Sequence, residues 1–565
     1  MQNAEANRDV SVFLGGSRKS MMRRSWITWA LLGLGLLLWL ALACNLPVWL
    51  PNEPGGGNSG GLADGASLTF TPFLPSQTPA PLIYCTPPPC GAGEEYYCPG
   101  NCPGGCGTIC RSVLGSVSPV QPITPTASPM IMCTPPLCKT DEVFFCPEEC
   151  PGGCGTGCAT PTLPPATSTY LPGRQKPPHY PFPQHTRYVS GSILPNHRSQ
   201  DELDRTVGEF YDQWKSIYLV QGCGEGRYFV NINAGSRASD QTTVSEAHGY
   251  GMMLSALMAG YDSQARKIFD GFFLYYKDHP SRFSPGLMAW KQVNCQNAGG
   301  DDSATDGDLD ITFALLLADR QWGSAGTINY RQEAEQAFYM VKYHLVNRET
   351  YTLLLGDWVT PRDPKYYYTT RSSDFIMDHL RSFRSVTGDP FWRKVIDASY
   401  DLVGTLQSSY SPGAGLLPDF IQDISGDPRP AEANFLESTT DGQYGYNACR
   451  VPWRLGTDYL LSGDGRGLLA LTRLNEWVRG AAKDDPANIV DGYDLQGNPL
   501  AGHQSNHLAF VAPFGVSAMA ASNNQEWLNR LWDVVSSRPI KDEGYYGDTI
   551  KLLTMIVMSG NWWGP

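Results

Sequence analysis

The chain has 565 residues, with 42 Lys and Arg against 55 Asp and Glu and a net charge of −13 at pH 7. That length exceeds one ordinary domain. The acidic balance argues against nucleic acid and anionic membrane surfaces as partners, and suits a neutral or cationic ligand. Its 15 Trp and 28 Tyr are compatible with stacking on sugar rings, although most such rings belong in cores.

Residues 1–50 form the first region. Arg18, Lys19, Arg23 and Arg24 precede an apolar run, WITWALLGLGLLLWLALAC, from Trp26 to Cys44, which is long enough to cross a bilayer. Basic residues on its N-terminal side predict that the rest of the chain lies outside the cytoplasm. The run ends in LALAC, similar to a bacterial lipoprotein signal with Cys44 as the lipidated residue. Ala41 stands where such signals usually carry Leu, so an uncleaved signal anchor fits equally. Either reading predicts an exported protein tethered at the extracellular face of the cell membrane.

Residues 51–185 are rich in Pro, Thr, Ser and Gly and read as a stalk. Two units inside it, 85–110 and 133–158, repeat six cysteines at identical spacing: CTPPPCGAGEEYYCPGNCPGGCGTIC, then CTPPLCKTDEVFFCPEECPGGCGTGC. In an exported chain that pattern predicts two disulfide-stapled modules, with fifteen possible connectivities each. A spacer is favoured over a polysaccharide-binding module, because each unit offers only one aromatic pair, Tyr96–Tyr97 or Phe144–Phe145.

Residues 186–565 alternate helical-period segments with loops. About twelve helices are predicted, near 202–218, 246–260, 263–278, 308–321, 328–346, 373–386, 390–408, 448–462, 467–480, 508–521, 524–537 and 546–559. Strand signals are scarce. Paired inner and outer helices closing a ring, an all-α (α/α)6 toroid, is the expected architecture, with the site on loops at one end. Runs such as ITFALLLA, apolar nearly all round, suit the inner ring.

One acidic stretch, GGDDSATDGDLDI, sets Asp301, Asp302, Asp306, Asp308 and Asp310 directly against that apolar run. Carboxylates forced towards a core are costly unless paired. A calcium loop of the EF-hand kind would need Gly and Glu where Ile311 and Leu317 stand. A helix N-terminus, capped by Thr305 or Asp306, accounts for one or two of the aspartates but not for five, so a polar cleft at a helix start is the better reading.

Further motifs are SEAHGYGMML, with Glu246 at a helix start beside Tyr250; MAWKQV, with Trp290; LGDW; and NFLESTTDGQYGYNACRVPWRLGTDYLL. With these motifs the chain resembles glycoside hydrolase family 8, a family of inverting (α/α)6 enzymes, over most of residues 200–560. SEAHGYGM, ATDGDLDI and NACRVPWR carry the resemblance. It implies a hydrolase of a β-linked polysaccharide, endo-acting on β-1,4 bonds of β-glucan, with chitosan as the alternative substrate and a non-catalytic binding protein as a third reading. No cofactor or metal is implied, and a monomer is expected.

An inverting glycosidase needs one carboxylic acid to protonate the leaving oxygen and one carboxylate to activate water opposite it. Glu246 matches the family's general acid. Asp306 matches a residue that contacts both that acid and the sugar before the cleaved bond, whereas Asp310 is expected to cap or pair within the helix bundle. Cellulase-type members carry the base as an Asp just before the ACR-PWR segment, and here that position is Asn447, whose amide cannot take a proton from water. The branch containing licheninases and chitosanases carries Asn there and supplies a Glu from a loop upstream. That loop offers Glu432, Glu437 and Asp441, of which Glu437 is favoured. Trp290, Tyr366 and Trp453 are candidate sugar platforms, and because a tryptophan on a helix more often belongs to the core, Trp290 is the one expected. Arg450 resembles a residue that holds the site's carboxylates, and Arg450, Asn447 and Tyr250 complete the expected substrate-binding set. Cys223, Cys295 and Cys449 allow one disulfide and a leftover thiol.

Overall fold

The computed structural model describes residues 177–565, apart from 237, and the backbone of six short strands between 83 and 159. The apolar run 26–44 and the disulfides expected in the cysteine repeats lie outside the described residues. The strands are β1 (Ile83–Cys85), β2 (Glu94–Tyr97), β3 (Ile109–Ser112), β4 (Ile131–Cys133), β5 (Val143–Phe145) and β6 (Gly157–Ala159). The hairpins β2–β3 and β5–β6 share one register, with Tyr96 opposite Cys110 and Phe144 opposite Cys158. The sequence repeat is therefore also a backbone repeat, and β1 pairs antiparallel with its own counterpart β4.

The larger unit holds thirteen helices among the described residues. They are α1 (Gln200–Tyr218), α2 (Ser245–Leu257), α3 (Ala265–Asp278), α4 (Thr305–Trp322), α5 (Tyr330–His344), α6 (Pro364–Tyr367), α7 (Met377–Thr387), α8 (Phe391–Ser409), α9 (Val451–Ser462), α10 (Gly465–Ala481), α11 (Leu508–Ala518), α12 (Gln525–Ser537) and α13 (Tyr545–Met558). Twelve of them are the expected helices, and the short α6 is the addition. Helices α2, α4, α9, α11 and α13 are buried on nearly every side and α7 over most of its length, whereas α1, α3, α5, α8, α10 and α12 bury one face and leave the other in water. In α12, Trp527, Leu528, Leu531, Trp532 and Val535 form that apolar stripe. Each inner helix packs on the next and α13 returns to α2, which closes the ring. The fold is an (α/α)6 toroid.

Two glycines let α2 and α4 approach closely enough to bring their N-termini together. A Cβ on Gly307 would meet the Ser245 hydroxyl at 2.3 Å, and one on Gly249 would meet the Asp310 Cβ at 2.7 Å. These are the glycines of SEAHGYGM and ATDGDLDI, so both motifs encode one helix crossing as well as the carboxylates beside it. Short strands frame the same end of the ring. β7 (Leu219–Gln221) pairs with β8 (Tyr228–Val230); β9 (Thr242–Val244) pairs with β10 (Lys291–Val293), which also pairs with β11 (Gln296–Asn297). β12 (Thr370–Arg371), β13 (Phe420–Gln422) and β14 (Arg429–Pro430) form a further sheet.

Residues 177–185 pack into the toroid, ahead of the expected boundary at 186. Tyr180 stacks on Trp563 with ring centroids 4.6 Å apart, Phe182 is buried, and the Tyr180 backbone exchanges hydrogen bonds with the Gln321 side chain. The Pro-rich composition runs on to 185, but these aromatic side chains have a core to enter. Cys223 and Cys295 are disulfide-bonded, and Cys449 is the buried free thiol among the described residues.

Candidate active site

Glu246 lies in the first turn of α2, directly after β9, and Asp306 in the first turn of α4. Arg450 ends a 3-10 turn, Ala448–Arg450, that runs into α9. Its fork joins the three: Nη1 donates to Glu246 Oε2 at 2.7 Å and to Asp306 Oδ2 at 2.9 Å. Nη2 donates to Ser373 Oγ at 3.0 Å and to Asn447 Oδ1 at 3.1 Å. Asn447 Nδ2 then donates to Glu437 Oε2 at 2.8 Å. A guanidinium only donates and a carboxylate only accepts, so the amide orientation is fixed by chemistry. Glu246 and Glu437 are thus the two ends of one hydrogen-bonded bridge through Arg450 and Asn447.

The two carboxylates on Arg450 Nη1 are driven to opposite protonation states. Burial pushes Glu246 up; Arg450 opposes this, the charges of Asp306 and Asp310 add to it, and the outcome is about 7. For Asp306 burial acts in the same upward sense, but Arg371 and Arg450 outweigh it and bring it down to about 2. Arg371 Nη2 donates to Asp306 Oδ1 at 3.3 Å, and the Gly307 N–H donates to the same oxygen at 3.0 Å. One carboxyl is therefore poised to hold a proton near neutrality while its neighbour stays ionised, the separation that acid–base pairs depend on. Tyr545, at the start of α13, donates to Glu246 Oε1 at 3.3 Å.

The three loop acids have distinct surroundings. The Asp441 carboxylate is consumed by its own loop, accepting from the backbone N–H groups of Leu436, Glu437 and Ser438 at 2.7, 3.0 and 2.7 Å and from the Ser438 hydroxyl. It holds the backbone of Glu437. Glu432 is 76% exposed and faces Arg429 at 3.6 Å. Of the three, Glu437 joins the bridge.

Trp290 lines a cleft of about 180 Å³ together with Asp302, Trp358, Tyr366, Arg371 and Leu436. Its indole N–H donates to the Gly299 carbonyl at 3.0 Å, and Trp358 meets Tyr366 edge-on at 5.1 Å. Tyr366 joins Trp290 in that wall, whereas Trp453 is core under the Arg454 guanidinium.

Three of the four residues expected at the substrate sit behind the cleft instead. Tyr250 is fully buried, because a residue one turn along an inner helix points into the ring; its hydroxyl lies 3.4 Å from Arg450 Nη1 and 3.4 Å from Arg454 Nη2. Arg450 and Asn447, 2% and 6% exposed, are held by carboxylates, by the Ser373 hydroxyl and by each other. His248 bonds the Phe272 carbonyl, away from Glu246. The aspartates sort likewise. Asp310 pairs with His379 at 2.9 Å and Arg454 at 2.8 Å inside the bundle, and Asp308 accepts from the Met288 N–H at 2.9 Å. Asp301 turns the chain at φ 58°, and Asp302 lines the cleft.

Arg371, Ser373, Asp374 and Tyr545 were not anticipated. Arg371 is held by buried Asp374 at 3.1 Å, and the two lie in YYYTTRSSDF, whose only signal was arginine and aspartate between hydroxyls.

The chain matches the family model of glycosyl hydrolases family 8 over residues 202–560. It belongs to that family. It is 49% identical over 387 residues to a beta-glucanase of Niallia circulans, covering 68% of this chain and 92% of that protein. It is 40% identical over 393 residues to an endoglucanase of Bacillus sp. strain KSM-330, covering 68% and 82%. The apo structure of a beta-1,3-1,4-glucanase from Paenibacillus sp. X4 matches with a TM-score of 0.66 at 49% identity, over 69% of this chain and 100% of that one. This family-8 chain is accordingly an inverting glycoside hydrolase.

Proposed function

We propose that this family-8 hydrolase is an endo-acting β-glucanase that cleaves β-1,4 bonds in mixed-linkage β-glucan, with Glu246 as general acid and Glu437 as general base. The observation that carries it is the bridge Glu246–Arg450–Asn447–Glu437, with Asp306 ionised against the acid. Glu246, held near 7, retains a proton for the leaving oxygen, while Glu437 stands at the other end with two side chains between them. A bridge of two side chains, rather than direct contact, fits the wide carboxyl separation that inversion requires. Asp306 keeps its charge beside the sugar that develops positive character. Trp290, Trp358 and Tyr366 supply the stacking wall.

The substrate class follows from the β-1,3-1,4-glucanase and β-glucanase relatives at 49% identity. Export and tethering through residues 26–44 are part of the same reading, and the Cys223–Cys295 disulfide suits an oxidising compartment. Lichenan, carboxymethylcellulose, xylan and chitosan should be compared by reducing-sugar release, with proton NMR at early times. Lichenan is expected to be cut fastest and to release the α-anomer first. Faster release from chitosan would overturn the substrate assignment, and a β-anomer would overturn the mechanism. Glu246→Gln should lower kcat about 10²-fold or more while leaving binding intact.

A further inference from the structure

Five large apolar side chains of the described residues are well exposed, and two of them, Tyr339 at 58% and Tyr343 at 47%, are neighbours on α5. They lie one turn apart on the outer ring, with ring centroids 4.4 Å apart and planes at 37°. They line a groove of about 410 Å³ between α5 and the α7–α8 junction, floored by buried Phe338 and Trp392. The groove shares no residue with the Trp290 cleft. We propose that this groove is a second, non-catalytic binding site for a stretch of neutral β-glucan chain.

The platform is ordered before any ligand arrives. The Arg348 guanidinium lies 4.9 Å from the centre of the Tyr343 ring, so this tyrosine is braced and its ordering cost is already met. Neither tyrosine hydroxyl has a hydrogen-bond partner among the described residues, unlike those of Tyr211, Tyr218 and Tyr446. Each is free to bond a sugar hydroxyl while the ring takes the apolar face of the sugar.

The charges along the groove are already paired. Lys342 Nζ meets Asp389 at 2.5 Å, and Arg331 Nε meets Glu335 at 2.8 Å. A charged occupant, whether an acidic peptide or a cationic polymer, would have to break these pairs, whereas a neutral polyol can bond to their exposed edges. Residues 331 to 343 lay out about 18 Å of helix at 1.5 Å per residue, enough for a short run of sugars. A hydrolase of a long polymer gains from such a site because a chain held there raises the local concentration at the cleft.

This inference rests on the β-glucan reading above, and the test separates the two. Retardation of the full chain in gels containing soluble mixed-linkage β-glucan should be compared for the parent, Tyr339→Ala/Tyr343→Ala and Tyr343→Phe. Turnover of a short soluble β-glucan oligosaccharide is measured alongside, with a thermal melt to verify folding. The double variant should bind the polymer about tenfold more weakly, with oligosaccharide kcat/KM unchanged, and Tyr343→Phe should keep most of the binding. Unchanged retardation in a folded double variant overturns the site. So does concentration-dependent self-association of the parent that the double variant loses while retardation stays the same, because the face would then meet a second copy. If the parent hydrolyses no β-glucan yet its retardation depends on the tyrosines, the site stands and the substrate assignment falls.

Discussion

Asn447→Asp probes the bridge most sharply, because it changes one atom at the contact. In the parent, Nδ2 donates to Glu437 Oε2 at 2.8 Å while Oδ1 accepts from Arg450 at 3.1 Å. Replacing that nitrogen by oxygen sets two carboxylates face to face at a position only 6% exposed. Two unit charges ~4 Å apart repel by about 4 kcal/mol at an effective dielectric of ~20. Arg450 and Arg371 offset part of that. If about 1.4 kcal/mol survives, it equals one pH unit. The pair then holds a shared proton to higher pH. A general base works only when deprotonated, so the acid limb of the kcat/KM profile should move up by about one unit or more. With Glu246 as the proposed acid, held near 7, the alkaline limb stays in place, so the bell narrows and its peak falls. Asn447→Ala removes the hydrogen bond without adding charge: kcat should drop while the acid limb moves far less. Profiles of kcat/KM on lichenan from pH 4 to 9 separate the variants. An unmoved acid limb in Asn447→Asp with parental kcat would refute the contact. Near-parental kcat/KM on lichenan in Glu437→Ala would refute Glu437 as the base.

Three further outcomes follow from the same contacts. Asp306→Asn removes a like charge that helps Glu246 keep its proton and leaves Arg450 to Glu246; the acid then ionises earlier, and the alkaline limb should shift to lower pH in the kcat/KM profile. Deleting residues 1–173 should leave a folded, active toroid, whereas deleting 1–185 removes buried Phe182 and the Tyr180–Trp563 stack. Losing Phe182 alone costs about 1.5–3 kcal/mol, visible as a lower Tm of the shorter form by calorimetry. In the form lacking residues 1–173, Cys223→Ser opens a link between residues 72 apart, worth about 4 kcal/mol by chain entropy, so Tm should fall and no longer respond to reductant.

The twelve long helices were legible because burial imposes a 3.6-residue period on outer helices and uniform apolarity on inner ones. Errors gathered at their ends, where chemistry replaces burial: α4 begins at Thr305 rather than 308, since Asp306 and Asp308 lie inside its first turn. That Glu246, Asp306, Arg450 and Glu437 converge could be anticipated because each sits in a motif. Arg371 and Tyr545 could not, because they reach Asp306 and Glu246 across 65 and 299 positions and no local pattern marks such a pairing. Tyr250 misled for the opposite reason. Nearness to Glu246 in sequence suggested the cleft, yet on an inner helix one turn is the difference between the mouth of the ring and its interior.

An asparagine where a carboxylate base is expected reads, residue by residue, as a loss of function. Its two hydrogen bonds reverse that reading. A carboxylate at 447 could accept from Arg450 but not donate to Glu437, and a glutamate brought beside it by the 434–441 loop would be repelled. An amide satisfies both neighbours, one through its oxygen and one through its nitrogen. The amide at 447 and the glutamate at 437 are therefore one choice made at two positions, and Asp441 completes it by tying down the backbone that carries Glu437. Changing either position alone breaks the one hydrogen bond that couples them, so single substitutions at 437 and 447 should be strongly non-additive.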